Sequence, residues 1–274
     1  MMIDEKVFRA KVNALQNLPA FPGILDKFNE LVKDPKISMN QIGDLISKDQ
    51  LLSVKILKLV NSAFYGFPGR ISTITHALVL LGYDVVKGLI LSASVFDIMF
   101  DKWQPLWRHS LGVSKACGLI CNRLKIENAE EISMAGLLHD IGKVVFLLME
   151  PDIYGQVKHA AEKRNRPIVM AEQTMLGFNH ADVASWLCEK WHLPQRLSTP
   201  MAFHHNPDQA PNAPVPTAVL FLADNLVKAL GYGTEPLALV EPMPEAVTKN
   251  LAVTHQFLAE VTDVLEAELV ALGV

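Results

Sequence analysis

Leu137-Leu138-His139-Asp140-Ile141-Gly142-Lys143 sets an imidazole and a carboxylate side by side in an apolar run. A buried histidine and aspartate need something positive to join them, because an unpaired charge taken out of water is expensive. A divalent metal meets that need, since neutral imidazole and carboxylate are good ligands for Fe, Mn, Zn or Ni. The spacing of apolar residues around the pair is helical. Read as one helix from Glu131 to Met149, the segment points His139 and Asp140 about 100° apart. Both still reach a metal pair lying beside the helix.

Helical spacing dominates outward from this stretch and strand alternation is scarce, so the expected class is all-α. The chain has 274 residues, half of them apolar and a fifth charged, enough for one large or two modest domains with a sizeable core. Its net charge of −4 announces no surface for a nucleic-acid polymer. Cys117, Cys121 and Cys188 are too few and too scattered for a disulfide framework. Cys117 and Cys121, four apart, share a helix face and read either as buried thiols or as a redox or metal pair. Residues 1–11 lack a signal-peptide core. The most apolar segment, Ala77 to Phe100, carries Asp84 and Lys87 near its middle, and each would cost about 2.5–3.5 kcal/mol at a bilayer centre. With Gly82 and Gly88 breaking it, the segment reads as buried helices of a cytoplasmic protein with no membrane partner.

Taken in order, helices are expected over 3–17, from Pro22 to Val32, after the capping box Ser38-Met39-Asn40-Gln41, from Gln50 to Val60, and again from Thr73. The polar break Asp101 to Pro105 divides the chain into 1–102 and 103–274. Beyond it, helices are expected over Trp107–Leu124, Pro151–Arg164, Val169–Leu176 and His180–Trp191. Residues 200–216, with five prolines, read as a loop that holds His204-His205. Thr217 then caps a helix to Leu230, and a last helix from Ala246 to Leu272 packs internally or pairs between subunits.

Three stretches carry a resemblance: Leu18-Pro19-Ala20-Phe21-Pro22; Asp49-Gln50-Leu51 leading to Leu57-Lys58-Leu59-Val60-Asn61-Ser62-Ala63-Phe64-Tyr65-Gly66; and Ile71-Ser72-Thr73-Ile74-Thr75-His76-Ala77-Leu78-Val79-Leu80-Leu81-Gly82. In order and spacing, over about residues 15–210, they resemble the HDOD family, the HD-related output domain of bacterial signalling proteins. The resemblance implies an all-helical fold whose N-terminal helical half packs on an HD-like half. It also implies a regulatory output module, often without catalysis, that acts on a signalling protein partner.

Five more residues extend the central dipeptide into a set of seven: His109, His139, Asp140, His180, His204, His205 and Asp224. The order His…His-Asp…Asp is similar to the HD phosphohydrolase superfamily. The longer order with His180 and His204-His205 resembles the HD-GYP cyclic-dinucleotide phosphodiesterases. That similarity implies two divalent transition metal ions, Fe or Mn ahead of Zn or Ni, about 3.5–4 Å apart with Asp140 bridging and the other six as terminal ligands. It assigns Lys143 to a substrate phosphate, and the reaction to hydrolysis of a phosphoester or nucleotide by a bridging water or hydroxide. Two departures stand out. The Gly-Tyr-Pro signature is absent, with Asn206-Pro207-Asp208 after the histidine pair, which argues against cyclic-di-GMP as substrate. Pro105 stands four residues before His109, where a glutamate would serve a third metal.

Each residue also has a structural reading. His139-Asp140 could be a hydrogen-bonded pair, His109 a satisfied core histidine, His180 a helix cap and His204-His205 a surface pair. Asp224, flanked by Leu220, Phe221, Leu222 and Leu226, needs some partner if buried. His76, His159, His192 and His255 fall outside the pattern and read as surface or packing. Lys163, Arg164 and Arg166 read as a solvated helix end or as a substrate or partner contact.

Overall fold

Proline, glycine and short polar breaks cut this apolar chain into helices that stack in two groups. The computed structural model describes residues 3–14, 22–48, 50–61, 71–234, 239–251 and 253–271. Among them are α1 (Glu5–Ala14), α2 (Pro22–Val32), α3 (Met39–Ser47), α4 (Gln50–Val60) and α5 (Ile74–Lys102). There follow α6 (Gln104–Leu124), α7 (Ala129–Leu138), α8 (Ile141–Met149), α9 (Pro151–Arg164) and α10 (Ile168–Leu176). The last are α11 (His180–Lys190), α12 (Gln195–Phe203), α13 (Pro214–Ala229), α14 (Glu245–Asn250) and α15 (His255–Ala271). No strand occurs among the described residues, and the fold is all-α as read.

The chain forms two compact units, Leu15–Lys102 and Met1–Ala14 with Trp103–Val274. The smaller unit ends at Lys102, and α1 belongs to the larger unit. Its apolar face, Phe8 and Val12, is fully buried against the larger unit, where α1 packs on α11. Phe8 lies 5.3 Å from both Phe146 and Phe178, ring centre to ring centre. Lys190 Nζ donates to the carbonyls of Val12 and Asn13 at the free C-terminal end of α1.

In the smaller unit α3, α4 and α5 bury Ile42, Ile46, Ile56, Leu78 and Leu89. The expected capping box is present: Ser38 Oγ accepts from Gln41 N, and Gln41 Oε1 accepts from Ser38 N. Asn61 bonds both backbone groups of Ile71, its amide donating to the carbonyl at 2.6 Å and its oxygen accepting from the N–H at 3.0 Å. That clamp gives Asn61 a structural role. Gly82, with φ 79 and ψ 171, kinks α5 as expected, whereas Gly88 continues the helix. Of the residues that carry the resemblance, 18–21, Asp49 and 62–66 lie outside the described residues. The polar break expected over Asp101–Pro105 shrinks to Trp103, because Pro105 fits the first turn of α6.

In the larger unit α6 packs along α7, α13 and α15, while α11 packs on α8 and α12. Residues 200–216 are more ordered than their prolines suggest. Pro200 sits inside α12, where it withholds a donor from the carbonyl of the exposed Arg196. Pro214 and Pro216 start α13 earlier than Thr217, whose hydroxyl instead donates to the Ala213 carbonyl. The last helix divides into α14 and α15 because Leu251 turns extended, φ −119 and ψ 130, and buries its side chain. The C-terminal helix packs internally, with Val261, Leu265 and Leu269 buried. All three cysteines are buried free thiols, and burial pushes Cys121 and Cys188 up to about 12. Ile74–Ala93 and Ala129–Met149 are long and apolar enough to cross a membrane, but their windows are 61% and 83% buried inside the fold, which accounts for their composition.

Candidate metal centre

Every residue of the sequence-predicted set lies in the larger unit, on elements that point inward. His109 is on α6, His180 opens α11, His204 and His205 follow α12, and Asp224 is on α13. His139 and Asp140 occupy the joint between α7 and α8. The single helix expected from Glu131 to Met149 is therefore broken at Asp140, with φ −92 and ψ 12. The break follows from packing. The N-terminus of α8 meets α11 so closely that a Cβ on Gly142 would overlap the His180 carbonyl. His180 is not the cap of α11; Asn179 is, accepting from Ala181 N while Asp182 accepts from Asn179 N. His204 is fully buried and His205 mostly so, which removes the surface reading of that pair.

Each histidine is anchored through Nδ1. That nitrogen faces the Tyr232 carbonyl at 2.9 Å in His109, the Gly136 carbonyl at 2.7 Å in His139 and the Met201 carbonyl at 2.7 Å in His204. In His180 it faces Glu172 Oε2 at 2.6 Å and in His205 it faces Glu241 Oε1 at 2.7 Å. In a neutral ring, a carbonyl or carboxylate beside Nδ1 makes it the N–H donor and leaves Nε2 as a free electron pair. The Nε2 atoms of His109, His139, His180 and His204 face Asp140, and that of His205 faces His180.

There Asp140 stands between two groups. Its Oδ2 lies 3.4 Å from His139 Nε2 and 3.6 Å from His109 Nε2. Its Oδ1 lies 3.2 Å from His180 Nε2 and 4.0 Å from His204 Nε2. Asp224 Oδ1 closes the first group, 3.1 Å from His109 Nε2, and His205 Nε2 closes the second, 2.9 Å from His180 Nε2. Within His109, His139 and Asp224, and again within His180, His204 and His205, the donor atoms lie within 4.8 Å of one another. The Nε2 atoms of His109, His139 and His204, both oxygens of Asp140 and Oδ1 of Asp224 are buried without a well-aligned hydrogen bond. Six such atoms converging are costly in a protein interior unless a cation joins them. Their chemistry, imidazole nitrogen with carboxylate oxygen, fits divalent transition metals.

The electrostatics keep the carboxylates ionised. Burial opposes the charge on Asp140, yet His139 and Lys143 hold it well below the usual carboxylate range. Burial likewise opposes Asp224, and Lys228 and His109 hold it low. Burial and the neighbouring imidazoles keep His204 and His205 well below the usual imidazole range, in the neutral form a metal needs. His180 differs: burial pulls it down, but Glu172 and Asp140 outweigh burial and carry it up to about 9. Lys143 is buried, with Nζ 2.9 Å from Asp140 Oδ2 and donating to Thr234 Oγ1 at 3.2 Å.

The HDOD domain pattern matches residues 18–207, more than half of the sequence. The chain belongs to the HDOD family. A Treponema pallidum (strain Nichols) protein of uncharacterised function is 28% identical over 216 residues, covering 75% of this chain but only 41% of its own length. A Geobacter sulfurreducens HDOD domain protein of unknown function has the same fold, with a TM-score of 0.72 and 24% identity over 97% of this chain and 95% of that one. A Shewanella amazonensis SB2B protein, named as a proposed phosphohydrolase, matches with a TM-score of 0.63 and 21% identity over 94% and 97% of the two chains. In this HDOD protein three further charged residues complete the site without having been read from the sequence: Glu172, Lys228 and Glu241. Glu172 had a signal, a carboxylate on the buried Ile168–Glu172–Leu176 stripe of α10. Lys228 had another, four residues after Asp224 on one helix face. Glu241 follows a proline-bearing connection and carried none. His76, His159, His192 and His255 are exposed and take no part.

Proposed function

We propose that this HDOD protein binds two divalent metal ions in its larger unit and hydrolyses a phosphoester there. The observation that carries this reading is Asp140: its two oxygens address separate histidine groups, and both lack well-aligned hydrogen bonds. His109, His139 and Asp224 would hold one ion, His180, His204 and His205 the other, and Asp140 both. Bound there, divalent cations polarise a phosphoryl oxygen and acidify water at neutral pH. The protein's own contribution is positional. The Nδ1 anchors fix five rings before any ligand arrives, so little reorganisation remains. Lys143 offsets the charge of Asp140 at Oδ2, the oxygen that also faces His139 and His109, and would add positive charge for a phosphate oxygen. The name of the Shewanella amazonensis protein is in keeping with this chemistry.

A second reading rests on burial. His109, His139, His180 and His204 have no exposed surface, as suits a metal-stabilised scaffold that signals through protein contacts. Elemental analysis of the purified protein beside a His139→Ala/Asp140→Ala variant tests the centre. About two equivalents of Fe, Mn, Zn or Ni, lost in the variant, support it. No metal after reconstitution sinks it. A panel of phosphomonoesters, cyclic nucleotides and cyclic dinucleotides then separates enzyme from scaffold, since hydrolysis abolished by the substitutions in a folded variant belongs to the enzyme alone.

A further inference from the structure

His205, Asp224 and Glu241 form another group whose donor atoms lie within 4.8 Å of one another. By residue type it is a cation site, one imidazole with two carboxylates. An ammonium already reaches it. Lys228, one turn beyond Asp224 on α13, places Nζ 2.6 Å from Asp224 Oδ2 and 3.5 Å from Glu241 Oε1. Its side chain is 10% exposed, and with His205, Glu241, Arg166 and Ile168 it lines a surface pocket.

We propose that Lys228 is a built-in cation in a third cation position, and that it limits the centre to two metals. The inference rests on the two-metal reading above. Lys228 engages Oδ2 of Asp224, which leaves only Oδ1, 3.1 Å from His109 Nε2, for a metal. It also offsets Glu241, whose Oε1 is already held against His205 Nδ1 at 2.7 Å. A divalent ion placed between the Asp224 and Glu241 carboxylates would meet the ammonium at contact distance, where like charges repel strongly in a desolvated site. Lys228 thereby links the outer side of both ligand groups, Asp224 of one and the Glu241-backed His205 of the other. It is the cationic counterpart of Asp140 on the inner side.

The test is a metal count. Chelator-stripped wild type and Lys228→Ala are reconstituted with Mn²⁺, desalted and assayed by elemental analysis, with titration calorimetry alongside. The wild type is expected to hold about two equivalents and Lys228→Ala about three, while Lys228→Ala/Glu241→Ala returns to about two. Lys228→Met, which keeps the packing of the lysine stem, is expected to match Lys228→Ala and takes its place if the alanine variant does not fold by circular dichroism. A wild-type count retained in both single variants overturns the proposal. A wild type that binds fewer than two ions brings down the two-metal reading itself, and the role of Lys228 with it.

Discussion

Glu172 has no exposed surface and gives both oxygens to the protein: Tyr154 donates its hydroxyl to one at 2.9 Å, and the His180 backbone N–H donates to the other, which also faces His180 Nδ1. It holds the His180 ring without pointing at the centre itself. Outer carboxylates of this kind typically carry about 10–100-fold in metal affinity. Glu172→Gln is therefore expected to weaken metal binding by about that factor in a chelator competition, with the fold retained; unchanged affinity would refute the role. The same residue sets a pH response in the metal-free protein. His180 is raised from its ordinary 6.5 to about 9, so its stabilisation is complete below 6.5 and is lost as pH rises through about 9. Denaturant titrations of chelated protein on the two sides of that window should show the loss, and Glu172→Gln should flatten it. The ligands were legible because imidazoles and carboxylates in apolar sequence are unusual one by one. The residues that orient them were not, because Glu172 and Glu241 meet their histidines across gaps of 8 and 36 residues that no local pattern encodes.

The joint between α7 and α8 shows what a helical reading captures and what it misses. α4 and α9 appear with the bounds their sequences suggest, since caps, prolines and apolar spacing act within a few residues. The residues around Asp140 are equally helical in pattern, yet the chain turns there because α11 presses on Gly142. Without that turn Asp140 would sit on a continuous helix with its oxygens directed elsewhere. Likewise His204-His205 reads as a loop on proline content, whereas Leu197, Pro200 and Met201 are buried in α12 and draw the pair inward. Gly142→Ala tests the joint. The added methyl meets backbone atoms of His180, which cannot rotate away, so the substitution is expected to cost about 1–3 kcal/mol. Metal content per folded chain should fall with it, because His180 must move. Gly155, with open space around its Cβ position, is the control, and Gly155→Ala should preserve both stability and metal content. Equal behaviour of the two variants would remove the joint from any role in building the centre.

Across the larger unit, the N-terminal helix supports a centre whose nearest ligand in sequence is His109. Phe8 stacks on Phe146 and meets Phe178 at a tilt; Phe146 stacks on Tyr154 at 5.0 Å, Tyr154 donates to Glu172, and Glu172 holds His180. The cluster is continuous packing in a close-packed interior, so loss of one ring is felt along it. Arg9 adds an exposed ion pair with Glu189, which contributes little by comparison. Phe8 is fully buried and Val7 beside it is 54% exposed, which makes the two a matched test. Phe8→Ala is expected to destabilise the chain by about 3–5 kcal/mol through the cavity it leaves. Val7→Ala should stay within about 0.5 kcal/mol of wild type. Thermal unfolding of metal-loaded and chelated protein reads both values. If α1 belongs to the metal-binding unit, Phe8→Ala lowers the transition that metal raises, because ligand binding stabilises only the unit that holds it. A Phe8→Ala loss confined to a transition indifferent to metal would place α1 with residues 15–102 instead, and would cut the packing path from Phe8 to His180.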